Sequence, residues 1–275
     1  MYLRFPGGRT KALTLSYDDG VEQDKRLIEI MNRHGLKGTF NINSGQFAEE
    51  GTVYPKGQVH RRMTKKEAAA LYQQSGQEVA LHTLTHPHLE ALPQPNVMRE
   101  VLEDRNNLEA LFQTVIRGMA YPFGTYNDET LEVLKNAGIA YSRTTVSTER
   151  FDLPKDWLRL PATCHHRNPR LMELWEEFLG KEPNTDGWMF YLWGHSYEFE
   201  GNDNWEVIER FAQRAGGHDT VWYATNIEIY DYVQAYKNLR FNLTESIVEN
   251  LSAQDVWFVS HGETLCVKGG ETLHF

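Results

Sequence analysis

The chain has 275 residues, 40% hydrophobic and 12% aromatic, enough to bury a core within one α/β domain. A formal net charge of −10 argues against a surface built for nucleic acid and suits a neutral or cationic substrate, besides serving solubility. Cys164 and Cys266 cannot make a disulfide framework, and the sequence shows neither an apolar leader nor a run of about 20 apolar residues. The expectation is a cytoplasmic protein without a membrane span, although a secreted chain trimmed of its leader would look the same.

Strand-like and helix-like stretches alternate along the chain. "KALTLSY" leads to a helix near 22–34 that carries Leu27, Ile30 and Met31 on one face and stops at Gly35. "KGTFNIN" follows, and Thr64 with Glu67 forms a capping box opening "TKKEAAALYQQSG". "QEVALHT" precedes a helix around 97–112, and "VIRGMAYPFG" precedes one around 128–137. "IAYSRTTV" and "WLRLPAT" read as further strands, and Asn168–Pro169 starts a helix with proline at its first position. "WMFYLWGHS" is an apolar strand before a helix near 205–215. "TVWYAT" then runs into a second capping box, Thr225 to Glu228, and a helix to about 237. This alternation predicts a parallel sheet with crossover helices, closed as a barrel over residues 1–239. From 240 to 275, "DVWFVSH", "TLCVKG" and "ETLHF" predict a small β-strand extension packed on the barrel.

In parallel barrels the chemistry sits where strands end, and the reactive side chains lie there. Asp18 and Asp19 follow the first strand; a metal ion would neutralise one carboxylate and leave the other to act as a base, while simple solvent exposure is the bland alternative. "LHTLTHPH" places His82, His86 and His88 after the third strand, and two histidines four apart converge on one ion if the chain turns helically. Two histidines and one carboxylate leave coordination positions open, the pattern of a catalytic site. "MAYPFGTYND" supplies a loop whose backbone N–H groups suit an oxyanion, and "WGHS" sets His195 at a strand end as a proton donor. Tyr121, Phe123, Tyr126 and Trp193 are aromatic faces on which a sugar could stack.

"SYDDG", "HTLTH", "AYPFG" and "WGH", in that order, resemble the motifs of the polysaccharide deacetylases, carbohydrate esterase family 4, over roughly residues 10–200. The resemblance implies a distorted (β/α)7 barrel and metal-dependent hydrolysis of N-acetyl or O-acetyl groups on sugars by attack of a metal-bound water. It implies Asp19, His82 and His86 as metal ligands, Asp18 as general base and His195 as general acid. The Phe123 N–H would sit at the oxyanion, with Tyr121 and Trp193 near substrate. Zinc is the expected metal, with cobalt, nickel or iron as substitutes. The sequence departs from the family at Ala120, where an arginine often steadies the catalytic aspartate; Arg143 or Arg117 is expected to replace it. The aspartate–tryptophan motif that tunes the acid histidine has a loose counterpart in Asp152, Asp156 and Trp157, and His165 and His166 lie at another strand end.

The expected partner is therefore an acetylated sugar or glycan, with neither nucleic acid nor membrane. Two rivals stand beside it: hydrolysis of a small amide, formyl group or ureide on the same fold, and a non-catalytic carbohydrate-binding barrel. Metal content separates the last from the others.

Overall fold

In the computed structural model, which describes residues 1–275, β1 (Tyr2–Arg4) precedes β2 (Lys11–Asp18). Every residue of β2 is buried, as expected of a parallel strand covered on both faces. The chain continues through α1 (Asp24–Arg33), β3 (Gly38–Ile42), α2 (Lys65–Ser75), β4 (Glu78–Leu81), α3 (Gln94–Phe112), β5 (Gly118–Ala120) and α4 (Asp128–Asn136). After β6 (Tyr141–Ser147), β7 (Leu160–Ala162) and β8 (Cys164–His165) come α5 (Leu171–Gly180), β9 (Trp188–Gly194), α6 (Tyr197–Gly201), α7 (Glu206–Ala215), β10 (Val221–Tyr223) and α8 (Asn226–Lys237). Both capping boxes form, Thr64 with Glu67 and Thr225 with Glu228. The helix expected at Asn168–Pro169 begins slightly later, at Leu171, after a turn in which the Asn168 side chain accepts from the Arg170 amide at 2.8 Å.

The parallel strands are ordered β7-β6-β5-β4-β3-β2-β9-β8. Only Thr163 separates β7 from β8, so the two ends of that order are successive pieces of one extended run. The first piece pairs with β6 and the second with β9, and the Thr163 amide between them donates to the Tyr191 carbonyl at 2.9 Å. The path returns on itself, which is the arrangement of a (β/α)7 barrel. Its distortion is visible at β2: β9 takes one edge from Lys11 to Tyr17, while β3 (at Leu15–Asp18) and β10 (at Lys11–Leu13) share the other.

The tail forms β11 (Arg240–Phe241), β12 (Ile247–Glu249), β13 (Val256–Ser260), β14 (Glu263–Val267) and β15 (Thr272–His274), in two small antiparallel sheets. One of them takes in β1, which pairs with β13, so the boundary expected between 239 and 240 is crossed by the N-terminal strand. Val248, Val256, Phe258 and Val267 pack with Ala235 and Leu239 at the end of α8. The Tyr232 hydroxyl donates to the Arg4 carbonyl at 2.7 Å and accepts from the Trp257 amide at 2.9 Å, fastening α8 to the extension. No helix is long and apolar enough to cross a membrane.

Candidate active site

The C-terminal ends of β2, β4, β5, β6 and β9 converge on one cluster. Asp18 is the last residue of β2 and only 2% exposed. Burial alone would raise its pKa, but Arg143, His82 and His195 outweigh that and hold the carboxylate below its ordinary value. Arg143 Nη2 donates to Asp18 Oδ2, and Asn41 Nδ2 donates to Oδ1 at 2.8 Å. Arg143 reaches Asp18 because β5 and β6 pair with Ala120 opposite Arg143. The guanidinium thus comes from the strand beside the alanine; its other face lies 4.3 Å from the Trp193 ring.

Asp19 leaves the strand in a left-handed turn, φ 85°, followed by Gly20 at φ 65°, so the two neighbouring carboxylates diverge. Against the opposing effect of burial, His60 and Arg62 hold Asp19 well below the usual carboxylate range. Arg62 Nη2 donates to Oδ1 at 3.0 Å, and His60 Nε2 stands 3.2 Å from Oδ2. Both residues come from the long β3–α2 connection, which runs back along the Asp19 turn through a bridge between Val21 and Arg62. Arg61 pins this segment to Glu22 and Glu200.

His82 and His86 approach Asp19, and one donor atom from each of the three residues lies within 4.8 Å of the others. The rings come together without a helical turn. Thr83 (φ 66°) and His86 (φ 60°) are left-handed, and the His86 amide is held by Thr83 Oγ1 at 3.1 Å. His82 Nδ1 is 2.8 Å from the Ala120 carbonyl, which fixes the proton there and leaves Nε2 with a free lone pair toward the cluster. Burial pushes the His82 pKa down to about 4, so the ring is neutral at pH 7, as a ligand must be. A carboxylate and two neutral imidazoles around one point fit a divalent cation.

On the far side of Asp18, His195 Nε2 lies 3.8 Å from Oδ2. Burial would lower the His195 pKa; Glu198, Asp18 and Asp19 reverse that and raise it. Glu198, on α6, is a shared anion. Its carboxylate is 3.6 Å from His195 Nδ1, 3.2 Å from His165 Nε2 and 2.9 Å from His166 Nε2.

The structure also places several expected residues elsewhere. Tyr121, expected near substrate, is 1% exposed with its hydroxyl donated to the Leu158 carbonyl, so its ring offers no face to a ligand. Trp193 is likewise buried, under Arg143, which itself serves Asp18 and not the substrate. Phe123 is half exposed, at φ 57°, and stacks on His88 with ring centroids 3.9 Å apart, making an aromatic wall beside His86. Tyr126 stacks on Tyr121. Arg117 pairs with Asp231 instead of Asp18. Asp156 accepts from the Leu158 amide and pairs with Arg159, Trp157 packs on Tyr230, and Asp152 is absent from the cluster, so none of the three tunes His195. Glu198 occupies that position. Sequence reasoning missed Glu198, Asn41, His60 and Arg62; the one signal was "HRRM" inside an unusually long loop after a strand end.

Residues 6–142 match the polysaccharide deacetylase family. A chitooligosaccharide deacetylase from Sinorhizobium fredii is 29% identical over 156 residues, which cover 56% of this chain and 63% of that protein. One from Bradyrhizobium is 28% identical over 54% of this chain and 60% of its own. The matches thus span less than two thirds of these curated relatives. Among solved structures, a Mycobacterium smegmatis protein assigned to the polysaccharide deacetylases superposes with a TM-score of 0.59 at 16% identity, covering 86% of this chain and 95% of that one. A family 4 carbohydrate esterase from Streptomyces lividans, solved with acetate, gives 0.51 at 14% identity over 78% of this chain and 93% of its own. Both are likenesses of fold. With the ordered motifs and the barrel that carries them, the match over residues 6–142 places this chain in the polysaccharide deacetylase family.

Proposed function

We propose that the protein is a divalent-metal-dependent deacetylase that hydrolyses the N-acetyl group of an amino sugar in a short glycan, as the names of its chitooligosaccharide deacetylase relatives suggest. The observation that carries the reading is the convergence of Asp19, His82 and His86 beside a second, separately held carboxylate, Asp18, with His195 across from it. Asp19, His82 and His86 would hold the cation, which supplies Lewis acidity to the acetyl carbonyl and to water. Zinc best suits this mixed nitrogen and oxygen set.

The chain's own groups divide the remaining work. Asp18, kept anionic by Arg143 and fixed by Asn41, takes a proton from the attacking water. The Phe123 amide, turned by the left-handed backbone at that residue, faces the developing oxyanion. His195 delivers a proton from Nε2 to the leaving nitrogen as the C–N bond breaks, and the Glu198 carboxylate, 3.6 Å from Nδ1, favours the charged ring. The products are acetate and a free amine.

The test is acetate release from N-acetylglucosamine oligomers, with metal content measured in parallel. Asp19→Ala is expected to lose the ion of this site and turnover together. Asp18→Asn is expected to keep the ion and lose at least a hundredfold in kcat, within the range typical of a general base. Near-normal turnover by Asp18→Asn would refute the assignment.

A further inference from the structure

A second group of potential ligands lies behind His195. His165, His195 and Glu198 each present a donor atom within 4.8 Å of the other two. Ligands 2.0–2.1 Å from a tetrahedral ion stand about 3.4 Å apart. The two Glu198 oxygens lie near that distance from the rings, Oε2 at 3.2 Å from His165 Nε2 and Oε1 at 3.6 Å from His195 Nδ1. Glu198 Oε2 and His195 Nδ1 are inaccessible to solvent and make no well-aligned hydrogen bond, so buried lone pairs point into the group without a directional partner. His166 Nε2, 2.9 Å from Glu198 Oε2, is at hand as a fourth donor. The one cation alongside, Arg167, is 60% exposed and 3.7 Å from Glu198, free to swing into water.

We propose that His165, His195 and Glu198 form a second divalent-cation site, distinct from the one at Asp19, His82 and His86, and that loading it inhibits the enzyme. Occupancy has a definite cost. The Arg167 amide now donates to His165 Nδ1 at 3.2 Å, and an ion on Nε2 moves the ring proton to Nδ1 and breaks that contact. The second site is accordingly the weaker one and fills at excess metal. The inhibitory consequence rests on the proposed role of His195: an ion on Nδ1 occupies the lone pair whose protonation makes that ring an acid, so Nε2 keeps its hydrogen but no longer gives it up.

Zinc binding to the metal-stripped full chain, followed by calorimetry and elemental analysis, tests the site independently of activity. Two ions per chain are expected for wild type, the second bound at least tenfold more weakly, and one for each of His165→Ala and Asp19→Ala. Acetate release should peak at one equivalent of zinc and fall at the second in wild type, with no fall in His165→Ala. Crystals grown with excess cobalt guard against variants that misfold: anomalous density at both clusters supports the site. Density at Asp19, His82 and His86 alone, or His165→Ala still binding two ions, overturns it. The Asp19→Ala arm separates the two readings, because loss of the first site there leaves the second measurable.

Discussion

Replacing Arg143 by methionine removes a buried guanidinium and leaves a neutral side chain of similar length. Arg143 and Asp18 are each 1–3% exposed at the side chain, so Asp18 would keep a full negative charge against the single hydrogen bond from Asn41. Breaking a buried pair from one side typically costs about 3–5 kcal/mol, since the remaining charge is both desolvated and unpaired. For a chain of this length that is roughly a 10 °C fall in Tm. The exposed pairs of Arg159 with Asp128 and Asp156 provide a control: Arg159→Met should leave the melting temperature nearly unchanged. Thermal and urea unfolding of Arg143→Met, Asp18→Asn and the double variant complete a cycle. If the cost is that of an uncompensated charge, the double variant is more stable than Arg143→Met by at least about 2 kcal/mol, because neutralising Asp18 relieves what Arg143→Met created. A double variant no more stable than Arg143→Met would show that Arg143 acts only by filling space over Trp193, and the electrostatic account of Asp18 would fall.

Two further outcomes follow from the same packing. Asp24 is fully buried, accepts from the Tyr72 and Ser196 hydroxyls and the Val21 amide, and is raised by burial to about 7. The unfolded chain loses that proton at lower pH than the folded one, so wild type is progressively destabilised from about pH 4 to pH 7; between pH 4 and 8 the stability of Asp24→Asn relative to wild type should rise by up to about 4 kcal/mol, read by urea unfolding. Gly194→Ala puts a methyl 2.1 Å from His166 Nδ1, so the ring must leave Glu198; a loss of about 1–3 kcal/mol and reduced acetate release are expected, and an unchanged melting temperature would contradict the packing seen there.

Much of this architecture was legible in local pattern. The two capping boxes form as written, the strand-like runs become barrel strands, and the carboxylates and imidazoles of the centre stand at strand ends. Those features depend on residues within a turn or two of each other, where periodicity and capping chemistry act directly. Spacing of four says only that the His82 and His86 rings can meet, not how the chain turns between them. Two left-handed residues, held by a Thr83 side chain, bring them together instead of a helical turn.

The sequence alone marked the candidate carboxylates and imidazoles Asp18, Asp19, His82, His86 and His195 and the strand ends on which they lie, because a titratable residue is visible in a string whatever its neighbours. Which groups answer one another was decided only by folding. Arg143 serves Asp18, 125 positions away, because strand register sets it opposite Ala120. Glu198 gathers three histidines because the closing run of β7 and β8 brings His165 and His166 beside the end of β9. A buried charge needs a partner within a few ångströms, and distances of that size between remote parts of a chain are fixed by register and barrel closure.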